Sequence, residues 1–585
     1  MAVELPAREC DVLVIGSGVG GLSAAVTAGL NGLDVQVIEK EPVFGGTTAF
    51  SGGVLWIPDN HLARQQGIED SQQAARTYLQ SEAGESFRPD VVDAFLQNGP
   101  AMLRFFEDNT RFRCNLYQYP DYHPDAPGGV MRGRSVVPQA FDIRALGDAM
   151  SRLRKPLRTI TFMGMMFSSS NNDLKHFFNA TRSLTSFAYV VKRLSRHLLE
   201  VARYGRGITA NGGNAVVARL ACSALDLGIP IHTRVAAKDL IVEQGAVRGV
   251  IVEVNGERVK LYARRGVVLA SGGFARDDER LKKLYPHVRR GGIQLSPTPP
   301  GADTGDGIAM AERIGARFDD SYPHGAAWIP ASKVQIGRQQ YVFPHLVDRY
   351  KPGFIMVNRH GSRFCNEADS YHDVGIAMIE TCRDDAETFA WQICDQRALR
   401  KYGMGFAKPA PIPASVYVNS GYLVKGKTLA ELAQKMGLPA QALERTVEEY
   451  NTDARLGNDP QFGRGESAYN RYLGDAAHLP NPCVAPIEQG PFYAVKLLMG
   501  DLGTFHGLKT DGEARVLDHQ GLPIPGLYAA GNEMASIMGG SYPGAGITIG
   551  PAATFGYIAA RSMAARGETD AAPHHESGER YVDTV

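Results

Sequence analysis

The apolar run Val12-Leu13-Val14-Ile15 breaks at Gly16-Ser17-Gly18-Val19-Gly20-Gly21 and resumes in the small-residue stretch Leu22 to Ala28, a pattern that predicts buried strand, tight turn and helix. A second strand is predicted over 34–38, ending at Glu39. Two later apolar runs, Val267-Val268-Leu269-Ala270 and Leu527-Tyr528-Ala529-Ala530, also stop at glycines, Gly272-Gly273 and Gly531-Asn532. Three strand-to-glycine junctions so far apart predict one α/β cofactor domain assembled from distant segments. Residues 183–203 show a different period. Leu184, Phe187, Val190, Val191, Leu194, Leu198 and Val201 form a stripe at helical spacing, with Lys192, Arg193, Arg196 and Arg203 on the polar side.

The first junction carries specific chemistry. Gly16 permits the turn, Gly18 lets a pyrophosphate approach the helix N-terminus with Gly20 beside it, and Gly21 lets helix and strand touch. Glu39 lies where a ribose hydroxyl is bound, followed by Lys40. The small-residue loop Gly45-Gly46-Thr47, continuing to Ser51-Gly52-Gly53, can run against a flat ring and offer it amides and hydroxyls, which favours flavin over nicotinamide. No histidine stands between Phe44 and Gly53, so a dissociable, non-covalent FAD is expected.

Composition narrows the partners. In 585 residues, 62 basic and 62 acidic side chains cancel, so no global field attracts nucleic acid and a neutral substrate is favoured over a polyanion. The seven cysteines are scattered without metal-ligand spacing, and no metal site is expected. With no basic n-region and no apolar run of ~18 residues, the reading is a cytoplasmic chain that does not span a membrane.

The fingerprint, the Gly45-Gly46-Thr47 loop, Thr304-Gly305-Asp306-Gly307 and Gly531-Asn532 resemble the flavoprotein superfamily of succinate dehydrogenase and fumarate reductase. Pro120-Asp121-Tyr122, Asn366 to Tyr371 and Tyr542-Pro543-Gly544-Ala545-Gly546 resemble, within it, the 3-ketosteroid dehydrogenases acting at the 1,2-bond. The resemblance covers nearly the whole chain except about 151–206 and the last twenty residues. It implies a Rossmann-like FAD-binding domain with an inserted α+β catalytic, or cap, domain. The expected division is 1–295 and 489–566 for FAD, 296–488 for the cap, and a disordered tail over 567–585. It further implies that Ala270, Gly272, Asp306, Gly531, Asn532 and Ile547 contact FAD.

Activity follows from the same resemblance. Tyr542 hydroxyl and Gly546 amide, two donors in one compact loop, would hold the carbon-3 oxygen of a 3-ketosteroid and promote enolisation. Tyr371 would take the proton from carbon 2 with Tyr122 hydrogen-bonded to it, while the hydride on carbon 1 leaves for flavin N5. Tyr117 and Tyr119 crowd the same loop as Tyr122 and compete for its role. The electron acceptor is not identified. A fumarate reductase-like enzyme, a steroid flavoenzyme acting at the 4,5-bond and a non-catalytic flavin-binding protein remain as alternatives; His506 and Arg363 are the residues that could serve the first.

Residues 157–206 depart from the compact family pattern. Met163, Met165, Met166 and Phe167 precede the basic amphipathic helix, a combination that suits an anionic bilayer surface and peripheral attachment to the inner face of the membrane. The alternative is that the stripe packs on protein.

Overall fold

The computed structural model describes residues 6–166, 176–177 and 183–565. The expected tail from 567, Phe167 and most of the following stretch to 182 lie outside the described residues. In chain order, the elements that position the site begin with β1 (Glu9–Ile15), α1 (Val19–Leu30), β2 (Val35–Glu39), α2 (Gln72–Ala83), α3 (Leu184–Tyr204), β3 (Ile231–Thr233) and β4 (Glu257–Leu269). They continue with α4 (Asp306–Arg313), β5 (Ala326–Ile336), β6 (Phe354–Val357), α5 (Tyr371–Thr381), β7 (Phe389–Asp395), β8 (Phe492–Thr504), β9 (Pro523–Ala529) and α6 (Ile549–Ala565).

The three glycine junctions meet because their strands are parallel neighbours. In the larger sheet the order runs β9-β4-β1-β2-β3, and Ile15 stands beside Leu269 and Ile38 while Leu269 stands beside Ala529. The carboxyl ends therefore finish in one row. The Gly16 N–H donates to Ile38 C=O at 2.8 Å, Ala270 to Ile15 at 2.8 Å and Ala530 to Leu269 at 2.9 Å, extending that row into the loops. Such a row is where open parallel sheets bind ligands.

Helix α1 covers one face of this sheet and is buried from Val19 to Ala28, which its alanines and glycines allow. A Cβ on Gly21 would run into the Gly16 carbonyl, so the close approach of helix to turn requires glycine here. Helix α6 lies against α1, with Ser23 Oγ donating to the Ala553 carbonyl. The loop from 541 to 548 leads directly into α6 and is thereby carried to the cofactor end of the sheet.

The second sheet is mixed and is centred on β8, which pairs antiparallel with β5 and β7, while β6 extends it beyond β7. Gln294–Leu295 pairs parallel with Met499–Gly500 in this sheet. Both Gln294–Leu295 and Phe492–Thr504 were expected in the FAD unit, but they hydrogen-bond into the second sheet. Long β8 is apolar and almost wholly buried, so it gains more as the middle of this sheet than as an edge of the first. After β6 the chain turns at Asn358–Ser362 without a returning strand.

A buried charge cluster anchors the segment between that turn and α5. Glu367 accepts from Arg363 at 2.9 Å and from Arg464 at 2.9 Å, and Arg363 also reaches Asp459 at 2.7 Å. Burial pushes the Glu367 carboxyl up, but the two guanidiniums outweigh it and hold it at about 2. Stability from this group is thus present above its ordinary value of 4.5 and is lost as pH falls toward about 2. Glu367→Gln leaves buried guanidinium charge uncompensated and is expected to lower unfolding free energy by roughly 3–5 kcal/mol near neutrality, with a smaller deficit at acid pH, measured by urea denaturation.

Candidate active site

One continuous cavity runs along the row of strand ends and turns into the cleft between the two sheets. Its first part is built by the turn after β1. Gly16 has φ +105°, and a Cβ there would meet the Ala270 carbonyl, so the turn tolerates only glycine. Gly16, Gly18 and Gly20 line the cavity, and Gly18 caps α1 with no side-chain bond of its own; the Val19 N–H is taken by Thr48 Oγ1, while the Gly20 N–H has no acceptor among the described residues. Open amides at a twelve-residue helix N-terminus suit a pyrophosphate.

Glu39, buried at the end of β2, lines the same stretch. Its carboxylate accepts from Ser17 Oγ at 2.6 Å and Glu41 N–H at 3.0 Å, which fixes its direction and leaves lone pairs for a ribose hydroxyl. Lys40 is held by Asp306 at 2.7 Å, linking β2 to the start of α4. Further along, Gly46, Thr47, Ser51, Gly52 and Gly53 line one wall and Ala270, Gly272, Gly531 and Asn532 another. These residues fit FAD: open helix amides, an oriented carboxylate and a small-residue wall for a flat ring.

Three expected contacts do not reach the cavity. Gly21 serves helix–turn packing, Gly45 N–H is already bonded to Ser17 Oγ at 3.0 Å, and Ile547 is buried in the loop, where Thr548 and Ile549 line the cavity instead. Conversely, the sequence reading missed Ser17, Thr48 and Asp303. Thr48 Oγ1 accepts from Val19 N–H at 3.1 Å at the cavity wall. Asp303 lies beside Gly272, and burial pushes its carboxyl up to about 8. Hydroxyls beside the fingerprint were a visible signal; Asp303 carried none.

At the far end the three tyrosines converge. Tyr122 Oη donates to Tyr371 Oη at 3.0 Å, the Tyr122 and Tyr542 rings stack at 5.5 Å, and Tyr371 meets Tyr542 edge-on at 4.9 Å. Backbone bonds set this arrangement: Tyr122 N–H donates to Pro543 C=O at 2.9 Å, and Tyr78 Oη, from α2, donates to the same carbonyl at 2.6 Å. Asp121 is clamped by Arg134 at 2.8 Å and Trp56 Nε1 at 2.8 Å, which fixes the loop on the other side. Tyr371 is the first residue of α5, behind the Ser370 cap, so the helix dipole favours negative charge there.

Gly546 lines the cavity beside Tyr542 with φ +99°, and a Cβ would collide with the Val54–Trp56 backbone. Among the described residues its N–H has no acceptor. Burial raises the Tyr542 phenol to about 12, with the Tyr371 and Thr548 hydroxyls opposing, so it remains a hydrogen donor through the neutral range. Burial, then the adjacent phenols, push Tyr122 and Tyr371 well above the ordinary range. A phenolate formed there would be a strong base but needs positive potential to form.

Tyr117 and Tyr119 also line the cavity, but the bond to Tyr371 belongs to Tyr122. Arg363 is absorbed in the Glu367 cluster, and His506 Nε2 lies 3.1 Å from the Tyr322 carbonyl; neither lines the cavity. All seven cysteines are buried and unpaired.

Residues 11–549 match the family described as FAD binding domain. The chain belongs to this family. FAD is its cofactor, and the protein is a flavin-dependent oxidoreductase homologous to 3-oxosteroid 1-dehydrogenases. The chain is 38% identical to the 3-oxosteroid 1-dehydrogenase of Mycobacterium tuberculosis (strain ATCC 25618 / H37Rv), covering 95% of this chain and 98% of that protein. It is 42% identical to the 4-oxocyclohex-2-ene-1-carboxylate 5-dehydrogenase of Sinomonas cyclohexanicum, with coverages of 95% and 94%. The crystal structure of 3-ketosteroid delta1-dehydrogenase from Sterolibacterium denitrificans, in complex with 1,4-androstadiene-3,17-dione, is similar with a TM-score of 0.86 at 36% identity, covering 96% of this chain and 100% of that one.

Glu39→Ala removes the oriented acceptor while leaving the tyrosines untouched. Its affinity for FAD is expected to fall about tenfold or more, read by flavin fluorescence during reconstitution of the apoprotein. Unchanged affinity would remove Glu39 from the binding set.

Proposed function

We propose that the protein introduces a double bond between carbons 1 and 2 of a 3-ketosteroid. The observation that carries this reading is the meeting of Tyr542 hydroxyl and the free Gly546 N–H with the Tyr122–Tyr371 dyad at one end of the FAD cavity. Two neutral donors on one carbonyl oxygen stabilise the charge that develops when the adjacent carbon loses a proton. Tyr371, as its phenolate, takes that proton from carbon 2 and becomes the neutral phenol, and Tyr122 donates a hydrogen bond that holds it in place. FAD, when bound, supplies the acceptor for the hydride from carbon 1.

The substrate end favours a neutral fused-ring ketone. Leu157, Ile160, Pro344, Leu346, Val347 and Leu502 line it together with the tyrosines. The cationic side chains that line the cavity, Lys40 and Arg154, face Asp306 at 2.7 Å and Glu41 at 3.6 Å. A 4-oxocyclohexene carboxylate shares the ketone chemistry and is the second reading, because that relative is the more similar in sequence. Its carboxylate would lack a cation beside the apolar lining.

Anaerobic titration tests the assignment. Flavin bleaching by a 3-ketosteroid, but not by succinate or 4-oxocyclohex-2-ene-1-carboxylate, is expected; bleaching by the latter alone transfers the proposal to the second reading. Tyr542→Phe is expected to lower turnover roughly a hundredfold while FAD stays bound. An unchanged rate would reject the oxyanion role.

Attachment to an anionic membrane surface forms part of the proposal, supported by α3. Ser186, His197 and Glu200 are its buried residues, with His197 Nε2 3.1 Å from the Met163 carbonyl and Glu200 accepting from Ile208 N–H at 3.1 Å. Most of its apolar stripe faces outward: Leu184 is 88% exposed, Phe187 57% and Leu198 51%, with Val190 and Leu194 half-buried and Lys192, Arg196 and Arg203 also exposed. No helix among the described residues is long and apolar enough to cross a membrane. Leu157 and Ile160, which line the cavity, lie at the start of the same insertion, so a water-insoluble ketone would have a short path from lipid. Co-sedimentation with anionic liposomes is expected for the full chain and is expected to be lost in Leu184→Glu/Phe187→Glu/Leu198→Glu; equal recovery of both would reject attachment.

A further inference from the structure

The dyad of Tyr122 and Tyr371 requires a source of positive potential, and its immediate neighbours supply little. Facing it are Tyr542, Tyr119, Tyr350 and Tyr469, all phenols, together with His372, Asp373, Asp121 and His123. Asp121 is matched by Arg134, and Asp373 by His123, which also bonds Glu82. His372 accepts from Trp328 N–H at 3.1 Å and is held neutral in this buried position. Asp369, two residues before Tyr371, bonds Asn470 at 3.1 Å.

Arg349 differs from the other buried arginines nearby. It is 0% exposed, and among the described residues it forms no ion pair. Its Nε donates to His345 C=O at 2.9 Å and its Nη1 to the carbonyls of Glu367 at 2.7 Å and Asp369 at 3.2 Å, on the segment leading into α5. Its Nη2 donates to Tyr350 Oη at 3.2 Å. The neighbouring carboxylate, Asp348, bonds through Oδ2 to His345 at 2.7 Å and to Gly405 N–H at 2.8 Å, and acts on Arg349 through space without touching it. Tyr350 Oη lies 2.7 Å from Tyr469 Oη, and the Tyr469 ring lies 4.8 Å from that of Tyr122.

We infer that Arg349 is a positioning residue for proton abstraction, its charge carried through the phenols of Tyr350 and Tyr469 to the Tyr122–Tyr371 dyad. No carboxylate contacts this buried cation, so Asp348 offsets its field only from a distance, and little water is present to screen the remainder. Tyr350, bonded to Arg349, polarises the Tyr469 hydroxyl, and the last step to the dyad is the contact of the Tyr469 ring with that of Tyr122 rather than a hydrogen bond. The phenolate that accepts the carbon-2 proton therefore becomes less costly, and its three carbonyl bonds let Arg349 also hold the backbone before Tyr371. This inference rests on the proposed role of Tyr371.

The test uses the holoenzyme with its flavin reduced, so that oxidation is blocked, and follows deuterium uptake at carbon 2 of a 3-ketosteroid across pH. Tyr350→Phe and Tyr469→Phe preserve shape and leave every carbonyl bond of Arg349 in place. Each is expected to move the rise in exchange upward by about one pH unit, a loss of about tenfold at neutral pH that disappears at high pH. Arg349→Met is expected to shift it further and Arg349→Lys to restore part of the shift; if Arg349→Met fails to fold, the two phenylalanine variants decide. Exchange reduced by the same factor at every pH, or unchanged in both phenylalanine variants, would overturn the relay. Tyr371→Phe separates the failures: if it retains exchange, the proposed function itself falls, whereas loss of exchange there with an unmoved Tyr350→Phe profile defeats only Arg349.

Discussion

Everything in this molecule depends on parallel strands being held level. With Ile15 beside Leu269 and Ile38, and Leu269 beside Ala529, the three loops that follow emerge at one height above the sheet. A one-residue slip would reverse which side chains face the covering helix α1 and move each glycine off the row. The valines, leucines and isoleucine of β1 and the end of β4 are buried in this register. Flavin binding is a consequence of that alignment.

The catalytic end is held by a different means. Tyr122, Tyr371 and Tyr542 come from three loops or helix starts, and no sheet ladder contains them. Tyr122 N–H on Pro543 C=O joins two of these segments directly. Buried charges fix the flanks, with Arg134 between Asp70 and Asp121 on one side and Arg363 and Arg464 on Glu367 on the other. Breaking one such pair is far more costly than a surface pair, since the partner is left charged in a dry interior. The phenols are thus set in a rigid frame with their hydroxyl groups within reach of one another.

Helix α3 inverts the usual arrangement of an amphipathic helix. A serine, a histidine and a glutamate point inward because each finds a hydrogen-bond partner there, and most of the apolar stripe is left facing out. Its periodicity was plain in the chain, but periodicity names two faces without saying which one the protein covers.

The local code of the sequence determined the fingerprint turn, the strand–glycine junctions and the helical period of 183–203, because tight turns and buried strands restrict residue type over a few neighbours. The family pattern in Tyr122, Tyr371 and the Tyr542–Gly546 loop was also legible there, as residue identities. Only the tertiary structure decided that β8 belongs to the second sheet, that Gly45 and Ile547 are turned away from the cavity, and that Arg349 stands behind the tyrosines. Each of those depends on contacts between residues distant in the chain, where burial and hydrogen-bond satisfaction are settled by the whole packing and leave no local signature.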